Sequence, residues 1–304
     1  MKNRKPQILL LGNGINRAFN SDSWDQLLNS MAEEYGVENA KEYICPETLK
    51  AILVTRDRVD EALSIKKDRL GNLGTEKPPK QMELLRRLLA SDFDHILTTN
   101  YSYELETAAL GEDKICESAL KKMQRHTDEV SRCEASLMLH TYNSFEYLGK
   151  ERKIWHIHGE ARKPDSMVLG HYYYGLLLGK MLAFNKKRGV YYSIARGSGE
   201  PPEIKSWTEA FILGDVYVLG YGFGFAESDM WWLLNRKKRE TSKVGKTVFF
   251  ELNPPNHRNP AKLDLLRLMG VEIIQKTVEN GNWTELYGQA ITEIEARMEN
   301  CHTD

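Results

Sequence analysis

The stretch QILLLGNGINRAFN, residues 7–20, decides the fold, because an apolar run at 8–11 passes directly into a Gly-Asn-Gly turn at 12–14 and then into a helical pattern. A strand that ends in closely spaced glycines lets backbone N–H groups approach a pyrophosphate, and the next helix N-terminus adds partial positive charge. The dinucleotide fingerprint needs a third glycine where this chain has Arg17. Taken alone, the stretch leaves open both a nucleotide-binding turn and an ordinary strand-turn-helix corner.

The composition is that of a soluble globular protein, with 304 residues, 41% hydrophobic and 28% charged, enough for one large α/β domain or two modest ones. A formal net charge of −1 provides no general basic field, so we expect no direct binding of nucleic acid. The first apolar run is too short for a signal peptide, and no later run reaches the length of a transmembrane helix. We therefore expect a cytoplasmic protein that does not bind membranes.

The cysteines are far apart, and none forms a C-x-x-C pair of the kind that closes a zinc ribbon or a redox motif. They are Cys45, Cys116, Cys133 and Cys301. We interpret them as free thiols in a reducing compartment and expect no metal site.

Six short apolar runs predict the strands of one sheet. They lie at residues 8–11, 93–98, 153–157, 215–219, 246–252 and 271–275. Short apolar runs that alternate with helical patterns indicate an α/β fold, here a Rossmann-like, mostly parallel sheet of about six strands with helices on both faces. We predict a single domain over residues 1–304, with helical insertions at about 38–92 and 110–150.

Ligands of such sheets bind beyond the carboxyl ends of the strands. Glycine turns follow the first and fourth predicted strands, at 12–14 and 220–222, and Asn253 follows the fifth. Glycine turns admit a pyrophosphate, and an Asn side chain can bond a ribose hydroxyl. The acidic residue that a dehydrogenase carries after its second strand is missing, because that region is predicted to be helical. The strand ends therefore favour a dinucleotide ligand without hydride transfer.

Asn100 and His158 follow the second and third predicted strands and form a polar, titratable pair suited to cleaving a glycosidic bond. The imidazole can act as a base near neutral pH, and the amide can orient a nucleophile or hold the ribose. Each residue also has an ordinary explanation that is at least as plausible by itself. Asn100 is then a helix cap with Tyr101 as the first helical residue, and His158 a half-buried strand histidine.

A set of blocks, in order from about residue 7 to 275, resembles the sirtuin-like family and most closely its bacterial anti-phage defence branch. The blocks are GNGINRAF, SWDQLL, ILTTNYSYELE, IWHIHGE, SMVLGHYYYG, VLGYGFGFAESDMWWLL and FFELN. The resemblance implies an NAD-binding Rossmann-like domain with an inserted helical module. It also implies that Asn100, in the TTNY block, and His158, before Gly159, carry cleavage of the nicotinamide–ribose bond.

The same resemblance implies which residues bind NAD. Gly12, Gly14 and Asn16 would line the phosphates and ribose, and Gly220, Gly222 and Asn253 would hold the adenosine half. Asn13 and Thr99 are also counted among the cofactor-binding residues. Asp229, in the FAESD block, stands where this branch often has an acidic residue, and we group it with the cofactor-binding residues.

The chain departs from sirtuin deacylases, which have a four-cysteine zinc module and a Gly-Ala-Gly-x-Ser opening that are both missing here. The resemblance therefore favours hydrolysis of NAD, in which water captures an oxocarbenium-like ribose. It also implies that the protein is an effector that depletes NAD when activated. Two alternatives stay open. One is an NAD-dependent deacylase or ADP-ribosyl transferase, and the other is a non-catalytic subunit of a defence complex that binds NAD or ADP-ribose.

Regulation is expected to come from self-assembly into a homo-oligomer or from a separately encoded partner of the helicase or nuclease type. This expectation rests on the resemblance. The apolar helix at 172–184 and the cluster Met230-Trp231-Trp232 are candidate interface surfaces, although core packing is the more plausible use of both.

Overall fold

The structure is a computed structural model. It describes residues 4–19, 24–34, 36–39, 42, 50–52, 79–110, 124–127, 139–198, 204–240, 244–277 and 281–300, with the backbone alone for 24, 125–127 and 186–198. The four cysteines, and most of the insertion predicted at 38–92, lie outside these residues.

The described residues form one sheet of eight strands. These are β1 Gln7–Leu11, β2 His95–Thr98, β3 Gln124–Thr127, β4 Thr141–Tyr147, β5 Lys150–His156, β6 Asp215–Leu219, β7 Thr247–Glu251 and β8 Val271–Gln275. Their order is β3-β4-β5-β2-β1-β6-β7-β8. The last six strands in this order, β5, β2, β1, β6, β7 and β8, are parallel to one another. These six are the predicted strands, so the α/β, Rossmann-like, mostly parallel sheet is confirmed.

The two additional strands correct the prediction for residues 110–150, where a helical insertion was expected. β3 pairs antiparallel with β4, and β4 pairs antiparallel with β5. Leu148 and Gly149 connect β4 to β5 with φ values of +52° and +74°. Positive φ at both central residues is typical of the tight hairpin turn whose twist matches that of the flanking strands. The described part of this insertion is therefore a β-hairpin extension of the sheet.

Helices cover both faces of the sheet. They are α1 Gly14–Arg17, α2 Trp24–Glu34, α3 Pro79–Ala90, α4 Glu104–Leu110, α5 His171–Ser198, α6 Trp207–Leu213, α7 Ser228–Arg239, α8 Pro260–Leu268 and α9 Trp283–Asn300. Successive side chains of β1 point to opposite faces, as the pleat requires. Ile8 and Leu10 belong to a core that includes residues of α5 to α8, and Leu9 and Leu11 to one that includes residues of α3, α4 and α9.

The α5 helix has one buried and one exposed apolar face. Tyr173, Leu177 and Met181 are buried in the core, whereas Tyr172 and Leu182 are 58% and 46% exposed. Met230 of α7 is also fully buried. Core packing therefore accounts for part of both candidate interface surfaces. In the described ranges, no helix combines the length and apolar character needed to cross a membrane.

The sheet has a point at which the strand order reverses. The chain runs from β1 outward to β2 and β5 on one side, and its later strands β6, β7 and β8 lie on the other side. Ligands of doubly wound sheets bind in the crevice at this point, beyond the carboxyl ends of the strands. Here the crevice lies where β1 and β6 end, next to the two glycine turns.

Candidate functional site

The two glycine turns pack directly against each other. The Gly12 N–H donates to Leu219 O at 3.0 Å, and the Gly14 N–H donates to Gly220 O at 2.6 Å. A Cβ at position 14 would stand 2.6 Å from Gly220 O, and one at position 12 would stand 2.5 Å from the Tyr221 Cα. Real Cβ atoms do not approach this closely, so both positions need glycine for the packing of the turns.

The glycines of the second turn are not explained by close packing, as those of the first turn are. Gly220 has φ +66°, a conformation that side chains rarely adopt. A Cβ at Gly222 would meet nothing within 4 Å, and the Gly222 carbonyl accepts a bond from Lys262 Nζ at 2.7 Å. The open space at Gly222 is consistent with a surface that a ligand can approach.

Asn16 lies in a buried amide network that connects the first turn to Asn100. Its Nδ2 donates to Asn13 Oδ1 at 2.8 Å and to Glu104 Oε1 at 3.1 Å, and its Oδ1 accepts a bond from Gln81 at 2.5 Å. The Asn100 Nδ2 donates to the same Glu104 oxygen. Both polar atoms of the Asn16 side chain therefore have partners within the protein.

Asn100 is fixed at three points. Its backbone N–H donates to Thr98 Oγ1 at 3.1 Å, its backbone carbonyl accepts from His156 Nδ1 at 2.9 Å, and its side chain bonds Glu104. Asn100 is 7% exposed, and α4 begins only at Glu104, so the helix-cap explanation of Asn100 is wrong. Within the described part of the chain Oδ1 accepts no hydrogen bond, which makes it the atom of Asn100 available to a ligand.

Thr99 joins the ends of β1 and β2. Its backbone N–H donates to Leu11 O at 3.2 Å, and the residue is half-buried between the first turn and Asn100. This position is consistent with its predicted place beside the ligand.

His158 is buried and bonds a buried carboxylate. Its Nε2 lies 2.8 Å from Asp229 Oδ2, with His158 3% and Asp229 0% exposed. Burial alone would lower the pKa of His158, but the charge and hydrogen bond of Asp229 outweigh it and raise that pKa above its usual value. Among the described residues this is the only hydrogen bond of the imidazole. Its Nδ1 is therefore available to exchange a proton.

Asp229 differs from the other residues predicted to bind the cofactor, because its partner is the catalytic candidate His158. It lies in the first turn of α7, where the helix dipole favours a negative charge. Its second oxygen, Oδ1, has no hydrogen-bond partner in the described part of the chain. An ionised Asp229 would hold the His158 ring in one orientation and favour a positive charge on it.

Two further side chains adjoin this pair. The ring of Tyr174 meets that of His158 edge to face, with centroids 5.4 Å apart. Glu227 accepts a bond from the Gly224 N–H at 2.8 Å. Burial raises the pKa of Glu227 to about 7, against the opposing charge of His158. The charges of Glu227 and His158 therefore act on each other, and that of Glu227 also helps to raise the pKa of His158.

Asn100 and His158 leave neighbouring strands at the same level. In the register of β2 with β5, Thr98 faces His156, and each candidate lies two residues further along its strand. The Ile157 N–H also donates to Thr98 O at 2.9 Å. The two side chains share no hydrogen bond in the described residues, since Asn100 bonds Glu104 and His158 bonds Asp229.

Asn253, predicted to bind the adenosine half, bonds the last residue of β7. Its Nδ2 and its backbone N–H both donate to Glu251 Oε1, at 2.7 Å and 3.0 Å. Glu251 is 1% exposed, and its Oε2 has no hydrogen-bond partner among the described residues. The sequence places Glu251 at a strand end, but only the structure shows that one of its carboxylate oxygens bonds Asn253. The other oxygen is available to a ligand.

Most carboxylates that surround the candidate site, and the second histidine, were not predicted as functional residues from the sequence. Glu104 lies four residues after Asn100, a helical spacing that the NYSYELE block contains. Glu106 bonds His156, and Glu227 adjoins His158. Within the ranges that the structure describes, no group of three or more His, Cys, Asp and Glu side chains is placed to hold a metal ion.

Comparison with protein-family models places the chain in a family. A family model described as a SIR2-like domain matches residues 94–274, more than half of the chain. The matched part begins one residue before β2, ends one residue before the end of β8, and includes Asn100, His158, Asp229 and Asn253. The first glycine turn precedes it. No curated protein matches the chain.

Proposed function

The chain belongs to the SIR2-like domain family, and from this premise we propose that it is an NAD⁺ glycohydrolase that cleaves the bond between nicotinamide and ribose. SIR2-like domains use NAD. The observation that carries the proposal is the buried pair of His158 and Asp229 at the end of β5, with Asn100 at the neighbouring strand end.

The reaction needs a leaving group, a nucleophile and a base. The C1′–N bond breaks and its electron pair leaves with the pyridinium nitrogen, so nicotinamide departs as a neutral molecule. A water oxygen adds to C1′ of the oxocarbenium-like ribose and gives its proton to Nδ1 of His158. Asp229, bonded to Nε2–H, stabilises the imidazolium that forms. The products are nicotinamide, ADP-ribose and a proton.

Asn100 would place the nicotinamide ribose for this step. Its carbonyl oxygen Oδ1 can accept a bond from a ribose hydroxyl or from the attacking water, while Glu104 fixes the amide nitrogen. Correct placement of two reactants contributes a large share of catalysis when the supporting contacts are rigid. The three anchors of Asn100 are contacts of this kind.

The remaining strand ends fit the rest of a dinucleotide. The packed glycine turns leave the Gly222 backbone accessible for the pyrophosphate, at the point where the strand order reverses. At the end of β7, the free oxygen of Glu251 can accept a bond from a ribose hydroxyl, and Asn253 lies beside it. NAD would then extend from the adenosine at β7 to the nicotinamide at β5.

The biological role that we propose is anti-phage defence by depletion of cellular NAD on activation, and it rests on the resemblance of the sequence blocks. Assembly into a homo-oligomer, or binding of a separately encoded helicase or nuclease-type partner, would supply the activation. The exposed face of α5 around Tyr172 and Leu182 is one surface open to such contacts. Light scattering coupled to size-exclusion chromatography, with and without infected-cell lysate, measures the assembly.

The activity is tested by incubating the purified chain with NAD, alone and with infected-cell lysate, and quantifying nicotinamide and ADP-ribose by chromatography. We expect equal amounts of the two products, and loss of both in Asn100→Ala and His158→Ala. Nicotinamide release that survives both substitutions overturns the assignment. Consumption of an acylated peptide in equal amount with NAD favours a deacylase, and tight NAD binding without turnover under any condition favours a non-catalytic subunit.

A further inference from the structure

His156 is buried within the protein and uses both ring nitrogens in hydrogen bonds. It is the last residue of β5 and 1% exposed. Its Nδ1 lies 2.9 Å from the backbone carbonyl of Asn100, and its Nε2 lies 2.9 Å from Glu106 Oε1. A carbonyl oxygen can only accept, so Nδ1 must carry the hydrogen in this contact. The ring therefore connects β5 to the turn that holds Asn100.

The surroundings of His156 separate it from any substrate. Glu106, on α4, is 1% exposed, and the ring of Tyr103 meets the imidazole edge to face with centroids 5.2 Å apart. Both nitrogens are occupied, so the ring has no atom left to bind a ligand or accept a proton from one. The proposed hydrolysis does not use His156 directly. Its effect on the reaction must therefore pass through Asn100.

We propose that His156 is a positioning residue, which holds the Asn100 carbonyl through Nδ1–H and is itself held in place by Glu106. This inference rests on the proposed function. The carbonyl contact fixes the peptide that follows Asn100, whereas Glu104 fixes the side chain of Asn100. Loss of the carbonyl contact frees the turn at 99–101, and the Asn100 Oδ1 moves away from the ribose.

Two substitutions separate the two contacts of the ring. In His156→Asn the amide nitrogen takes the place of Nδ1, so it can donate to the Asn100 carbonyl but cannot reach Glu106. In His156→Gln the terminal amide takes the place of Nε2, so it can bond Glu106 but leaves the Asn100 carbonyl without its donor. The variants have the same polarity and differ by one methylene.

The proposal predicts that activity and stability rank the two variants in opposite orders. His156→Gln should lose kcat by about 100-fold, the effect of a displacement of about 1 Å in a catalytic group, with little change in KM. His156→Asn should keep kcat within about 10-fold of the wild type, because its donor to Asn100 remains. It should have the lower Tm, because it leaves the Glu106 carboxylate buried without its partner. A purely structural role predicts that kcat follows Tm.

The experiment measures kcat, KM and Tm for the full-length wild type and for both variants. Retained kcat in His156→Asn with loss in His156→Gln supports the proposal. Equal losses in the two variants, or loss of kcat in the order of Tm, overturn it.

A second measurement does not depend on turnover, so failure of the proposed hydrolysis is distinguishable from failure of this inference. If the wild type does not cleave NAD, the side-chain amide signal of Asn100 is followed by NMR with ¹⁵N-asparagine labelling, and it is assigned as the signal absent in Asn100→Ala. We expect this signal unchanged in His156→Asn and displaced in His156→Gln. An unchanged signal in both variants overturns the positioning role.

Discussion

His156 and His158 lie two residues apart, are both buried, and both bond a buried carboxylate through Nε2, at 2.9 Å to Glu106 and 2.8 Å to Asp229. They differ at Nδ1. In His156 this nitrogen donates to the Asn100 carbonyl, and in His158 it has no partner in the described residues. A carboxylate partner is therefore common to both histidines, and the available second nitrogen is what distinguishes His158, the proposed base, from His156.

The pKa values of the two histidines are shifted in the same direction. Burial would lower the pKa of each, and the charge and hydrogen bond of the adjacent carboxylate outweigh burial and raise it. The pKa of His156 rises to about 9, so this ring stays protonated near neutral pH. His158 must lose its proton before it can act as a base. Turnover should therefore increase with pH through the raised pKa of His158.

The largest expected effect tests the catalytic side of the comparison. Replacing His158 by Ala should reduce kcat by about 1,000-fold, because the base is lost, while the Kd for NAD stays within a few-fold of the wild type. Nicotinamide release and calorimetric binding of NAD measure the two quantities. His95→Gln, at the opposite end of β2, is the control and should leave both unchanged. A similar kcat in His158→Ala and the wild type would contradict the assignment.

Asp229→Asn should give the next largest effect. The amide cannot stabilise the imidazolium by charge, so we expect kcat to fall by about 100-fold with little change in NAD affinity. Asp264→Asn, an exposed change on α8, is the matched control. A large loss of NAD affinity with unchanged kcat would instead return Asp229 to the cofactor-binding role predicted from the sequence.

Gly14→Ala tests the packing of the two glycine turns against each other. The added Cβ would lie 2.6 Å from Gly220 O, so we expect a loss of about 1–3 kcal/mol in unfolding free energy and weaker NAD binding. Gly222→Ala places its Cβ in open space and should not change stability. Urea denaturation and NAD titration compare the variants. Equal stability of the two would contradict the close packing of the turns.

The smallest effect is on the pH dependence of stability. The folded pKa of His156, about 9, exceeds the unfolded value of 6.5, so its contribution is complete below pH 6.5 and is lost as pH rises through 9. The quantity to compare is the difference in unfolding free energy between the wild type and His156→Asn. This difference should be larger at pH 6 than at pH 9.5, by on the order of 1 kcal/mol. Urea denaturation at both pH values measures this. A difference that grows with pH would show that His156 is neutral in the fold.

The sequence predicts the sheet well where the strands are continuously apolar. β1 and β7 are buried along their whole length, and such runs are typical of parallel strands covered on both faces. β4 was missed because its polar residues Asn143 and Ser144 are buried among its apolar ones, so the alternation of strand residues does not appear. The hairpin turn at Leu148-Gly149 also lacks the common Asn-Gly pattern.

The sequence was sufficient to predict the main residues of the candidate site, but not the hydrogen bonds between them. Asn100 and His158 stand at strand ends that the sequence identifies, and the structure places them on adjacent strands in matching register. Their partners were harder to find. Asp229 lies 71 residues from His158 along the chain, and only the fold brings the two together. Glu104 is the exception, because its spacing of four residues from Asn100 was enough to predict the contact.

The measurement that tests the central claim most directly is the titration of His158. The pKa of its ring is measured by ¹⁵N-histidine NMR and compared with the pH at which kcat rises, in the wild type and in Asp229→Asn. We predict that the two values agree in each protein and that both move to lower pH in the variant, because Asp229 is the group that raises the pKa. A pH–rate profile that stays in place while the pKa of His158 moves would contradict the account.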